Sequence, residues 1–267
     1  MKLPFLNRKP TVAVIRLQGV IGAGARPGSG GLADATLRPL LERAFRRKKP
    51  VALALIVNSP GGSPVQSSLI GARIRRLSEK HGVPVHAFVE DVAASGGYWL
   101  ACAAERIWAD ESSVLGSIGV ISAGFGFTDL IERWGIERRV HTSGRSKSQL
   151  DPFRPEKPED VARLDAILDT IHDSFKDHVR NRRGDRLADD PDLFSGAFWT
   201  GRRSVELGLA DGIGHLEPKM RELFGEVRFE HYGIRQPWLR RIGLSGEALL
   251  AAADERAAYA RFGLGGR

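Results

Sequence analysis

Short, mostly apolar runs alternate along the chain with longer stretches in which apolar residues recur every three or four positions. TVAVIRL (Thr11–Leu17), VALALIV (Val51–Val57) and VPVHAFV (Val83–Val89) are the clearest runs. Continuous apolar runs rich in β-branched residues suit strands covered on both faces. Between them, Leu32–Arg47 sets Leu37, Leu40, Leu41 and Phe45 on one helical face, and Val65–Lys80 reads as a second amphipathic helix. Further on, Arg106–Ala109, Leu115–Ile121, Glu137–Thr142 and Val227–Tyr232 read as short strands, and Phe127–Trp134 as a helix stopped at Gly135. Pro158–Arg182 is the longest helical stretch, with Val161, Leu164, Ile167, Leu168, Ile171, Phe175 and Val179 on its expected buried side. Ser195–Gly214 reads as a turn, a short helix and a Gly-Leu-Ala-Asp-Gly exit. Strands alternating with helices predict an α/β fold.

The pattern is most informative at DVAASGGYWLACAA (Asp91–Ala104). An apolar strand precedes it and an apolar helix, Gly96–Ala104, is expected to follow, so Ser95 falls on a strand-to-helix turn with two glycines behind it. Such a turn exposes a hydroxyl, aims backbone N–H groups at whatever that hydroxyl attacks, and lets a substrate backbone come close. The plainer alternative is a helix cap, the commonest use of serine at such a place. NSPGGS (Asn58–Ser63) ends the VALALIV strand in a turn with consecutive glycines. Its N–H groups are expected at the carboxyl edge of the sheet, where α/β sites form.

Composition narrows the class. At 267 residues and 42% hydrophobic content the chain can bury a large core. Forty Lys and Arg against 32 Asp and Glu leave a net charge of +8, compatible with an anionic partner but not evidence of one. RRKKP (Arg46–Pro50) is explained by cations at a helix C-terminus, and no nucleic-acid partner is expected. A single cysteine, Cys102, sits in an apolar helix and suits a reducing compartment as an inert thiol. No apolar run reaches the length of a signal-peptide core or membrane span, which predicts a chain without an anchor and a cytoplasmic location. GxxxxGK[ST], HExxH and paired CxxC patterns are missing, so neither a metal nor another cofactor is expected.

A serine hydrolase also needs a base. None of the seven histidines lies between Ser95 and Val140 or carries a flanking pattern that marks catalysis. Lys147, between Ser146 and Ser148 in a polar loop before DPFRP, is the other candidate. A lysine base requires a pKa brought from about 10.4 towards neutrality by burial, with a hydroxyl to hold the neutral amine. Taken alone, a loop lysine is ordinarily just solvated.

VNSPGG (Val57–Gly62), DVAASGGYWLA (Asp91–Ala101), LGSIGVI (Leu115–Ile121), SGRSKSQLDPF (Ser143–Phe153) and WTGRRSVELGLADG (Trp199–Gly212) together resemble the signal peptide peptidase A family. That resemblance implies a Clp-protease/crotonase-like α/β fold of repeated β-β-α units. It implies Ser95 as nucleophile, Lys147 as general base and Ser117 as the hydroxyl that orients the lysine. The oxyanion donors it implies are the N–H groups of Gly96 and Gly61. It further implies short, unfolded, apolar peptides as substrates, such as signal-peptide remnants, and a ring-shaped homo-oligomer, an octamer, in which one protomer's serine is served by its neighbour's lysine.

The expected organisation is an N-terminal segment over residues 1–10, a peptidase domain over 11–235 and a basic, helical tail over 236–267. In the tail, QPWLRRIG (Gln236–Gly243) is a candidate for peripheral contact with an anionic inner-membrane surface. Three competing readings remain. A Clp-type Ser-His-Asp protease would need a histidine soon after the serine helix. A crotonase-like acyl-CoA enzyme would not need the serine–lysine pair. An inactive scaffold would not react with a serine-directed probe.

Overall fold

The computed structural model describes residues 9–22, 31–144, 146–233 and 256–264. The chain divides into two compact units, one formed by Met1–Ile118 with Lys176–Arg267 and the other by Gly119–Phe175. The sequence's tail segment QPWLRRIG, residues 1–8 of the N-terminal segment and most of the glycine-rich 22–31 loop lie outside the described residues.

The first unit is built on a sheet. Strands β1 (Thr11–Gln18), β2 (Ala52–Ser59) and β3 (Val85–Ala94) pair in parallel as its centre. All eight residues of β2 are buried, as a central strand covered on both faces must be. Burial of each of Leu53, Leu55, Ile56 and Val57 is worth about 1.5–3 kcal/mol. β8 (Arg228–Tyr232) adds in parallel outside β1. Helix α1 (Asp34–Arg46) buries Leu37, Leu40, Leu41 and Phe45, the face its spacing predicts. Helix α2 (Pro64–His81) starts on a Ser63 cap that accepts the Gln66 N–H and ends on Gly82 in the left-handed region.

β3 changes partner along its length. Its first half, His86–Val89, pairs with β4 (Arg106–Ala109), and Val92–Ala94 pairs with β5 (Val114–Gly116). The register of β2 on β3 shifts between Val57 and Ser59. β3 therefore runs five residues beyond Val89, and α3 (Gly96–Ala101) begins one residue after it ends. The expected helix over Gly96–Ala104 is three residues shorter than its apolar pattern, because Ala103 and Ala104 bond back to Leu100 and Ala101 in a tighter turn. Likewise only Leu115 and Gly116 of the LGSIGVI segment are strand, the end of β5, which is edged by antiparallel β6 (Phe198–Thr200).

Helix α6 (Gly201–Glu206), strand β7 (Gly212–Ile213) and helix α7 (Leu216–Phe224) complete this unit. α7 was not legible in the chain's pattern. It packs Met220 and Phe224 over Val12, Val14, Ala54, Ile56 and Phe88. The LADG exit is tied down by Asp211, which accepts the Ile107 N–H at 2.7 Å and Arg183 at 2.7 Å, both residues being almost fully enclosed. Within the tail, residues 256–264 return to the sheet: Phe262 packs on Val92 and Ala94, and Tyr259 Oη donates to the Asn58 carbonyl at 2.7 Å.

The second unit holds α4 (Thr128–Arg133) and the start of α5 (Pro158–Arg183). Two expectations fail here. Residues 137–142 form no strand; Arg138 and Arg139 instead spend their side chains on Asp151 and Glu137. The expected buried side of α5 is enclosed only towards its C-terminal end, at Phe175 and Val179, while Ile167 is 48% exposed. Periodicity identifies the face that can be covered, not whether this chain covers it. Phe125, Trp134 and Ile121 are also exposed, at 81%, 76% and 66%. Among the described residues no helix is long and apolar enough to cross a membrane.

Candidate active site

Parallel strands place their carboxyl ends at one edge of a sheet, and the loops that leave that edge are the usual site builders. Here the loop after β1 starts at Gly19, the loop after β2 is Pro60–Ser63, and Ser95 and Ser117 are the first residues beyond the ends of β3 and β5. Ala94 lies opposite Gly116 in the β3–β5 register, so Ser95 and Ser117 follow at matching positions on adjacent strands. Both serines have φ of +52°. Ser95 combines this with ψ of −124°, far from the small left-handed region that L-residues tolerate. Such a conformation costs on the order of 1–3 kcal/mol and persists only where surrounding structure over-determines it.

The surrounding structure does so. The Ser95 N–H donates to Gly116 O at 2.9 Å, and Ser95 O accepts from Trp99 N–H at 3.1 Å. Beneath the turn, a Cβ on Gly61 would stand 2.8 Å from Ser95 Cβ and 2.9 Å from Gly96 N. A Cβ on Gly96 would meet Ser67 Oγ at 2.4 Å, and one on Gly97 would meet Ser59 O at 2.3 Å. The glycines of SPGG and SGG are therefore the residues that let two loops and a helix start share one small volume. Ser117 is held in parallel fashion, its N–H donating to Ala197 O at 2.7 Å.

Ser95 occupies the cap position of α3, yet its side chain makes no capping hydrogen bond. The plainer reading of this serine, a helix cap, fails on that point. Its hydroxyl is left without a bonded partner among the described residues, half-buried at the sheet edge.

Within the SPGG loop the two glycines differ. The Gly61 N–H points to Ser59 Oγ at 3.3 Å. Gly62, at φ of +140°, makes no N–H bond among the described residues, and its nitrogen lies 3.4 Å from where a Cβ on Gly96 would be. Sequence spacing alone does not separate these two neighbours; the bond to Ser59 does.

Lys147 belongs to the second unit, whereas Ser95, Ser117, Gly61 and Gly96 gather in the first. It stands exposed in a turn closed by its own N–H on Gly144 O at 3.2 Å.

The fold brings His178 against α3. Its ring stacks on Trp99 at 4.4 Å and 8°, and Nε2 bonds Trp99 O at 3.1 Å. Burial is the main cause that pulls its pKa down to about 4. With one ring nitrogen committed to a backbone carbonyl, His178 is a packing residue, in line with the structural role expected for the histidines. Cys102 is fully enclosed and burial pushes its thiol up to about 11, which keeps it protonated and inert. Among the described residues no cluster of His, Cys, Asp or Glu could hold a metal ion.

The chain is similar in sequence to known proteins. The sequence model of peptidase family S49 matches residues 78–227, more than half of the chain, including the Ser95 turn, Ser117 and Lys147. The protein slr0021 of Synechocystis, named as a protease, is 32% identical over 212 residues, covering 79% of this chain and 73% of that protein. The chloroplastic serine protease SPPA of Arabidopsis thaliana is 33% identical over 220 residues, 80% of this chain and 32% of its own. The Na(+)/H(+) antiporter NhaA of Brucella abortus is 45% identical over 271 residues, 95% of this chain but 37% of that protein. The chain thus spans little more than a third of the length of its antiporter-named relatives. A solved structure of a membrane-bound stomatin-specific protease aligns with a TM-score of 0.49 at 12% identity, over 85% of this chain and 99% of that one. With a family model spanning more than half its length and a protease-named relative similar over most of both proteins, the chain belongs to peptidase family S49 and has that family's α/β Clp-protease/crotonase-like fold.

Proposed function

We propose that the chain is a serine endopeptidase that hydrolyses short, unfolded, apolar peptides with Ser95 as nucleophile and Lys147 as general base. The observation that carries this reading is Ser95 itself: a strained, non-glycine residue at the carboxyl edge of a parallel sheet, its hydroxyl unspent. A strained strand-to-helix turn of this kind is the device that presents a nucleophile.

In the proposed reaction Ser95 Oγ attacks the peptide carbonyl carbon and its proton passes to the neutral Lys147 amine. The carbonyl oxygen becomes an oxyanion, held by backbone N–H groups. Gly96 supplies one donor. Gly61 gives its N–H to Ser59, so the second donor assigned here is Gly62. The C–N bond breaks as the lysine ammonium protonates the leaving amine. Water then attacks the acyl-enzyme, giving its proton to the lysine, and the proton returns to Ser95 Oγ as the acid leaves. Ser117, one strand over at the matching position, holds the lysine amine through its hydroxyl without adding negative charge.

A lysine base must be shielded from water to lose its proton near neutral pH, and Lys147 is exposed in the single chain. The proposal therefore includes a ring of copies in which one protomer's Lys147 serves the Ser95 of the next. The exposed Ile121, Phe125 and Trp134 of the second unit are apolar surface that such an assembly would cover. Extended peptides would be read by backbone hydrogen bonds along a strand edge.

Labelling with a fluorophosphonate probe tests the reaction class. The expected result is one modified residue, Ser95, lost in Ser95→Ala. Modification elsewhere, or hydrolysis that survives Ser95→Ala, overturns the reading.

A further inference from the structure

Ser59 holds the proposed oxyanion loop from beneath. It is fully buried at the end of β2, opposite Ala93, beyond the register shift. Its Oγ donates to the Gly19 carbonyl at 2.7 Å and accepts the Gly61 N–H at 3.3 Å. Its own carbonyl oxygen is so near α3 that a Cβ on Gly97 would come within 2.3 Å. One residue thus ties the exit of β1, the SPGG loop and the start of the Ser95 helix. A hydroxyl is suited to this because it donates once and accepts at the same time; alanine would leave both the Gly19 carbonyl and the Gly61 N–H without their buried partner.

Position matters here more than stability. Gly61 presses on the Ser95 turn, with its prospective Cβ 2.8 Å from Ser95 Cβ, so the tilt of the Gly61 peptide sets where the next N–H, that of Gly62, points. Oxyanion donors act over a narrow range, about 2.7–3.1 Å from the developing charge, and loss of one costs about 10²–10³ in kcat. We infer that Ser59 is a positioning residue for transition-state stabilisation: by engaging the Gly61 N–H and the Gly19 carbonyl it turns the Gly62 N–H towards the oxyanion. This rests on the reading of Ser95 as nucleophile.

The test uses the full chain with Ser59→Ala and Ser59→Cys, each normalised to active serines by fluorophosphonate titration. A fluorogenic apolar peptide gives kcat and KM, and the matching peptide aldehyde, which forms a tetrahedral adduct on the serine, reports oxyanion binding. Ser59→Ala is expected to lower kcat per titrated site by about tenfold or more with KM within about twofold, and to weaken the aldehyde in parallel. Ser59→Cys keeps the volume with a weaker donor and acceptor, and is expected to fall between wild type and alanine. If Ser59→Ala does not fold, Ser59→Cys is read by the same ratios. Unchanged kcat per titrated site and unchanged aldehyde affinity, with only a lower melting temperature, would show a merely structural serine and overturn the inference. Ser95→Ala run alongside separates the two levels. Activity in Ser95→Ala sinks the nucleophile reading itself, whereas a dead Ser95→Ala beside a normal Ser59→Ala sinks only the role of Ser59.

Discussion

The turn that carries Ser95 and the turn that carries Lys147 are held in different ways. Around Ser95, two parallel strands, a glycine pair from a third and a helix start fix the backbone, down to a positive φ that serine otherwise avoids. Around Lys147 the fixing comes from loop contacts within the second unit: a backbone turn onto Gly144, the Phe127 N–H on Pro152 O at 2.6 Å, Asp151 accepting the Phe153 N–H at 3.1 Å, and Arg163 reaching Gln149 at 3.2 Å. A nucleophile must be aimed before substrate arrives, and a rigid sheet edge does that. A base needs a low-dielectric setting instead, and the polar 143–153 loop does not make one by itself.

The largest expected effects break both halves of this contrast. Ser95→Ala and Lys147→Ala should each lower peptide hydrolysis by about a thousandfold or more, with the fold retained. Near-full activity in Lys147→Ala, measured as kcat/KM, would remove the lysine from the mechanism. Mixing the two inactive proteins sharpens the point. In co-assembled rings about a quarter of random neighbour pairs join a good serine to a good lysine, so activity should return, and verified mixed rings that stay silent would rule out the shared site.

Next comes the packing under Ser95. Gly61→Ala puts a Cβ against Ser95 Cβ, Ala94 O and Gly96 N, on a residue with φ of +105°. Activity should fall about a hundredfold. Gly225→Ala is the control: it also has positive φ, 72°, but open space around it, so it should cost about 1 kcal/mol in denaturant unfolding and leave kcat alone. Equal losses of activity in both would mean that backbone strain, not the shared volume beneath Ser95, governs the site.

Ser117→Ala should have a smaller effect, about tenfold in kcat, since in the proposed mechanism it removes only the hydroxyl that orients the amine. Its acid-limb pKa in the pH–rate profile should move with it. A profile unchanged in shape would leave Ser117 as a strand-end residue only.

The smallest effect concerns the scaffold of α3. Burial holds the His178 pKa at about 4, below the ordinary 6.5. The unfolded chain therefore binds the extra proton between those values, and stability present above pH 6.5 declines as pH falls towards 4. From pH 7 to pH 5 this amounts to about 2 kcal/mol, readable by urea unfolding. His178→Phe should flatten that slope, and an identical slope in the variant would place the titration elsewhere.

Much of this protein could be read from the chain. The apolar runs located β1, β2 and the first half of β3, and the spacing of Leu37, Leu40, Leu41 and Phe45 named the face that α1 buries. Ser95 was marked by an apolar strand, a pair of glycines and an apolar helix in succession. These features are local, and local patterns of burial and turn chemistry are written in consecutive residues. The tertiary structure decided what depends on pairing between distant segments. The switch of β3 from β4 to β5 set Ser95 beside Ser117. The loop after β2 folds so that the Gly61 N–H meets Ser59 Oγ, while the Gly62 N–H makes no bond among the described residues. Helix α7 went unread because it is only nine residues long and its core face, Leu216, Met220 and Phe224, gains meaning only against the sheet. Residues 137–142 looked like a strand, yet their arginines found carboxylates in place of a neighbouring strand. A sequence states which residues are able to be buried or bonded; only the fold supplies the partner, because neither the strand that β3 pairs with at each end nor the sheet face under α7 is set by neighbouring residues.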